Sequence, residues 1–157
     1  MQAVDRQGAA SVALRGKLYE LLPDTLIEDN TAVISTPQLI LDKYTLATIL
    51  LTLSAKTFDA STTLDIYVQY SPDEGTTWDD IAHFTQITDA AMADGTHILL
   101  LHALAGTSQP DRVTRDASLA ANSVLNVPWC DRMKVKCVGA NISGTDTITA
   151  KVEAYMQ

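Results

Sequence analysis

Four carboxylates stand close together in this chain, at Asp73, Glu74, Asp79 and Asp80. Hard oxygen ligands at that density are what calcium takes, but the spacing does not follow an EF-hand loop, and the alternative is a solvated acidic hairpin tip. The three histidines, His83, His97 and His102, fall on different strands or strand ends. With no H-E-x-x-H pair and no C-x-x-C knuckle, no ligand spacing fixes a metal, and each reads as a half-exposed strand residue. Neither a G-x-S-x-G elbow nor a G-x-x-x-x-G-K-[ST] loop occurs, and Cys130 lacks the context of a nucleophile. Glycosidase carboxylates meet in space rather than along the chain, and nothing here points to such a pair. The expectation is a protein that is not an enzyme, with no catalytic residue, metal or cofactor.

The elements carrying these residues belong to a chain of 157 residues, 46% hydrophobic and 19% charged, which is one domain able to bury its own core. That composition excludes a disordered tail and a coiled-coil rod. With 19 acidic against 11 basic residues and a net charge of -8, the chain repels phosphate backbones, so no nucleic-acid partner is expected. The most apolar stretches, 46–53 and 98–104, are far shorter than the ~20 residues of a membrane span, so no membrane is expected either. The N-terminus shows no apolar run behind a basic start, which reads as a protein made and used without export. Cys130 and Cys137 are read as free, partly buried thiols, because an extended strand from Arg132 to Cys137 carries them apart at about 3.3 Å per residue.

Nineteen threonines lie among Val, Ile, Leu and Tyr, the composition of half-buried pleated surface. The cleanest alternation runs from Thr63 to Tyr70, with Leu64, Ile66, Val68 and Tyr70 on one face and Asp65, Tyr67 and Gln69 on the other. Further strands are expected at 31–36, 44–56, 78–88, 96–101, 132–139 and 145–155, the last two paired as a hairpin through Gly139 to Gly144. About seven to eight short strands without alternating helices predict an all-β fold, an antiparallel β-sandwich or jelly roll, over residues 30–157. Residues 1–29 read as an N-terminal arm, with a turn at Pro23-Asp24 and a short helix over 11–22 that Gly16 weakens by about 1 kcal/mol. Residues 103–128 read as one long loop, of a length that compact domains keep for binding or for an interface. Arm and loop either fold back over their own domain or are ordered by neighbouring subunits. In the second case Val12, Leu14, Leu18, Tyr19, Arg112, Val113, Arg115 and Leu119 are the candidate partner interface.

The stretch Ser71-Pro72-Asp73-Glu74-Gly75-Thr76-Thr77-Trp78 fits S-x-D-x-G-x-T-W at every fixed position. It resembles the Asp-box of sialidases and related β-propellers. Its logic is local: Asp73 accepts hydrogen bonds from the turn, Gly75 takes a conformation other residues resist, and Trp78 packs over the hairpin. In the enzymes the motif repeats and lies away from the catalytic centre, whereas here it occurs once, so no sialidase chemistry comes with it. It should join the 63–70 strand to the 78–88 strand. In the latter, Trp78, Ala82 and Phe84 share one parity and Ile81 and Ile87 the other, which a bulge near Asp79 or Asp80 would reconcile.

The longer run from Leu64 to Ile87, LDIYVQYSPDEGTTWDDIAHFTQI, is similar to the hairpin of small tailed-bacteriophage virion proteins, where LDVxVQxSxDGGTTWxDIxxFTQ recurs. Glu74 stands where that phrase has a second glycine. The resemblance implies a structural protein of the virion, assembled in the host cytoplasm and bound to the major capsid protein or other virion proteins. Within it, a capsid decoration or cement protein, as a homo-oligomer with a trimer favoured, stands first; a tail or head-to-tail connector component stands second. Hairpins of this form also occur in carbohydrate-binding β-sandwich modules, for which Tyr67, Trp78 and Trp129 would be the stacking residues.

Overall fold

The structure, a computed structural model, describes residues 16–40, 46–71, 73–102, 120–121, 123–124 and 132–157. Among them lie ten strands and no helix: β1 Lys17–Ile27, β2 Val33–Ile34, β3 Gln38–Leu39, β4 Leu46–Ser54, β5 Thr63–Ser71, β6 Asp79–His83, β7 Gly95–His102, β8 Ser123–Val124, β9 Arg132–Ala140 and β10 Ile148–Met156. All pairings are antiparallel. One sheet has four strands in the order β1-β10-β4-β7; the other has six, β2-β9-β5-β6-β8, with β3 also paired to β9.

Period-two alternation explains the four longest-paired strands. Ala47, Ile49, Leu51 and Leu53 of β4 and Ile148, Ala150, Val152, Ala154 and Met156 of β10 point inward from the first sheet. Leu64, Ile66, Val68 and Tyr70 of β5 with Met133, Val135 and Cys137 of β9 do so from the second, and all join one core cluster. Each large aliphatic residue so buried contributes about 1.5–3 kcal/mol. Size alternates across three of the inner pairs of the first sheet, Ala154 beside Ile49, Ala150 beside Leu53 and Met156 beside Ala47.

Among the described residues, only β5 and β6 are chain neighbours that also pair with each other. The expected hairpin between the last two strands does not form. β9 lies in the six-stranded sheet and β10 in the four-stranded one, and the segment between them crosses the core's edge. Asn141 and Gly144 do take left-handed conformations, with φ of 59° and 66°. Yet Ile142 is buried there, and the Asp146 carboxylate, itself buried, accepts the Asp59 N–H at 3.0 Å and lies 3.0 Å from the Thr62 hydroxyl. Turn residues alone do not distinguish a hairpin from a crossover; these side chains do.

A second correction concerns the arm. Lys17–Ile27 is a full edge strand, paired along β10 from Lys17↔Met156 to Ile27↔Ile148, and residues 17–22 are extended rather than helical. Register shifts between Glu20 and Leu22 and between Leu22 and Thr25 break the alternation, and Pro23 sits inside the second, where an edge strand tolerates a residue without an N–H. Gly16 lets the Tyr155 ring pack against the backbone, in space a Cβ would need. The remainder of the arm, residues 1–15 with Val12 and Leu14, lies outside the described residues. So does most of the 103–128 loop, including Arg112, Val113, Arg115 and Leu119. Part of that stretch is β8, which extends the sheet beyond β6.

Candidate functional site

The β5–β6 turn is held by its own side chains. The buried Ser71 hydroxyl accepts the Gly75 N–H at 2.6 Å and donates to Asp73 Oδ1 at 3.0 Å. Asp73 in turn accepts the Thr77 N–H on Oδ1 and the Thr77 hydroxyl on Oδ2, both at 2.7 Å. Gly75 has a φ of +96°, and the Trp78 indole donates to its carbonyl at 3.1 Å. The five motif residues Ser71, Asp73, Gly75, Thr77 and Trp78 are thus brought together, with the turn as their product.

The acids beyond the turn separate from it. Asp79 and Asp80 are buried in β6, where Asp80 Oδ1 accepts the Gln69 amide at 2.7 Å. Among the described residues, no group of three His, Cys, Asp or Glu side chains is gathered as a metal would require. The bulge in β6 falls at Ile81, one residue past the expected position, since Gln69 pairs with Asp80 and Val68 with Ala82. Ile81 and Ala82 are both buried at this bulge.

Register assembles a polar patch on the outward face of the six-stranded sheet. Tyr67 stands between Lys136 and His83, and Gln69 between Lys134 and Asp80. His83 Nε2 lies 3.0 Å from Asp65 Oδ1, and Gln86 donates to Asp65 Oδ2 at 3.0 Å. The imidazole stacks on Tyr67 with centroids 4.0 Å apart. His83 is therefore buried, at 3% exposure, rather than half-exposed as its strand position implied. His97 is half-exposed, as its strand position implied, its Nε2 2.9 Å from Ala93 O.

Charge and burial tune this patch. Burial raises the Tyr67 phenol above its ordinary 10.0, and the carboxylates of Asp65 and Asp80 add to the rise. Burial, then Lys136, lowers the Lys134 ammonium, which sits 4.1 Å over the Trp78 ring. An aspartate–histidine pair can orient an imidazole for proton transfer. Here the ring is enclosed between Asp65 and Tyr67, an arrangement that suits holding β5 to β6 more than meeting a dissolved substrate. Cys137 faces the core as a free thiol, with burial pushing it up to about 12; Cys130 lies outside the described residues.

Comparison with family models, curated proteins and solved structures finds no match. The site must be read on its own geometry.

The outward face of the other sheet differs in kind. Leu18, beside Tyr155, is 54% exposed, and Ile98, beside Leu50, is 60% exposed. Leu18 is exposed, whereas Tyr19 packs into the core. Sequence reasoning placed Asp65, Tyr67 and Gln69 on a polar face but missed the network, because Lys134, Lys136 and His83 reach it only through strand register. The alternation in 132–139 was the available signal for the lysines.

Proposed function

We propose that this chain is a structural protein of a tailed-bacteriophage particle, a β-sandwich of jelly-roll type that binds the capsid as a decoration or cement protein. The observation that carries the reading is the 64–87 hairpin. The stretch that resembles the phage phrase is folded as one self-held unit whose polar side chains are engaged with each other. Ser71, Asp73 and Thr77 build the turn, and Asp65, Gln69, Asp80 and His83 brace β5 against β6. Side chains so committed serve shape. In this reading Leu18 and Ile98, exposed on the two edge strands of the opposite sheet, are apolar points of contact with the partner.

In this reading the partner is the major capsid protein or another virion protein, and a homotrimer on a local threefold is the favoured assembly. Attachment at several points multiplies weak contacts into stable coverage. Particles prepared without this chain should open at a lower temperature than complete ones, and adding the purified chain back should restore the difference. Equal opening temperatures would defeat the decoration role.

A carbohydrate-binding module is the second reading, favoured by Tyr67 and Trp78 sharing one outward face. The Trp78 ring already carries Lys134 and the Tyr67 ring already carries His83, so each has spent a face that a sugar would use. Trp129 lies outside the described residues. Glycan-array binding lost in Trp78→Ala would favour this reading over the first.

A further inference from the structure

The loop between Ile87 and β7 turns four backbone carbonyls toward one point. Lys56 Nζ occupies it, 2.8 Å from Thr88 O, 3.1 Å from Asp89 O, 3.2 Å from Ala91 O and 3.1 Å from Met92 O. An ammonium has three protons, so these oxygens outnumber its donors and surround it as a coordination shell. The loop holds that shape itself: the Ala91 N–H donates to the Thr88 hydroxyl at 3.0 Å, and Met92 takes a left-handed φ of 58°. The lysine is fixed from its own side, its backbone N–H donating to Asp94 Oδ1 at 3.2 Å. Rings of neutral carbonyls replace the hydration shell of monovalent cations, whereas calcium and magnesium favour carboxylate-containing shells.

We propose that residues 88–92 form a monovalent-cation site whose resident cation is the tethered ammonium of Lys56, and that the ring takes ammonium or potassium from solution when that ammonium is removed. The loop carries the chain from the six-stranded sheet to β7 of the four-stranded one, so the cation fixes this crossover. The proposal is independent of the virion reading.

The test is Lys56→Met, which keeps the apolar stem and removes the charge. Melting is followed in choline, sodium, potassium and ammonium chloride at equal ionic strength. In choline chloride the variant should melt about 5 °C below the parent, the scale of several carbonyls losing their partner. Ammonium or potassium should return at least half of that loss saturably, while the parent is unmoved by the exchange. A variant that melts with the parent in choline chloride, or that responds to the four salts as the parent does, overturns the proposal. If Lys56→Met does not fold, acetylation of the intact protein by an N-hydroxysuccinimide ester, read by mass spectrometry, decides. Lys56 should react at least tenfold more slowly than Lys17, and equal rates overturn the proposal.

Discussion

His83 and Asp65 meet across the β5–β6 ladder at 3.0 Å, with the imidazole side chain 4% exposed and the carboxylate 20% exposed. The pair is diagonal, since His83 stands opposite Tyr67 and reaches back two residues along β5. It therefore locks register as well as distance, because a one-residue slip would send Asp65 to the other face. Removing the carboxylate takes one hydrogen-bond partner from the buried imidazole and one from Gln86 together. Asp65→Ala should cost about 2 kcal/mol in urea denaturation. A loss within the scatter of ordinary surface substitutions would show the pair to be incidental.

The same carboxylate acts on Tyr67. Burial is the first cause of the raised phenol pKa and Asp65 the second, so Asp65→Asn should bring Tyr67 back toward 10.0 without restoring it fully. Ultraviolet titration of tyrosinate, with Tyr67→Phe identifying the component, measures this. An unchanged Tyr67 component would remove the electrostatic part of the account.

Gly75 isolates backbone strain in the turn. A Cβ there would meet Arg132 Cδ at 3.5 Å, an ordinary contact, so the cost of Gly75→Ala comes from the φ of +96°. About 1 kcal/mol or more is expected from that strain. Ser71→Ala should cost about 2 kcal/mol, since it strands the Gly75 N–H. Thermal unfolding of both variants checks the order.

Acid should loosen the 59–62 turn, whose Asp59 N–H and Thr62 hydroxyl hold Asp146 of the crossover. The Ser61 N–H, the Ser61 hydroxyl and the Thr62 hydroxyl hold the Asp59 carboxyl below its ordinary 3.8. A depressed folded value means that stability is present above the unfolded pKa and lost as pH falls through the folded one. Melting temperature followed from pH 7 downward should therefore fall below about pH 4, less steeply in Asp59→Asn. Parallel acid limbs for the two proteins would contradict this.

How legible all this was depended on how local each feature is. The hairpin, its motif residues and the alternating strands β4, β5, β9 and β10 were readable because period two and turn chemistry act over a few residues. β1 was not readable, since two register shifts around Leu22 and Pro23 disguise its alternation and leave it looking like an arm. The crossover after Ala140 looked like a hairpin because Asn141 and Gly144 serve either purpose; the deciding groups, Asp59, Thr62 and Asp146, come from two distant segments. Lys56 gave no sign at all, because a backbone carbonyl has no letter in the sequence.

The exposed residues of the four-stranded sheet separate stability from attachment. Leu18→Asp and Ile98→Asp change surface positions and should leave the melting transition nearly unmoved, within about 0.5 kcal/mol. If this face is the contact surface, particle binding by the double variant should weaken tenfold or more in a sedimentation assay. Undiminished binding would move the contact elsewhere.

If the proposed decoration role holds, this chain is built into a virus particle in bulk. Quantitative mass spectrometry of washed, purified particles measures that directly. This chain should be found in numbers comparable with the major capsid protein. Its absence from the particles would contradict the account, and a handful of copies per particle would contradict the decoration role in favour of the tail or connector.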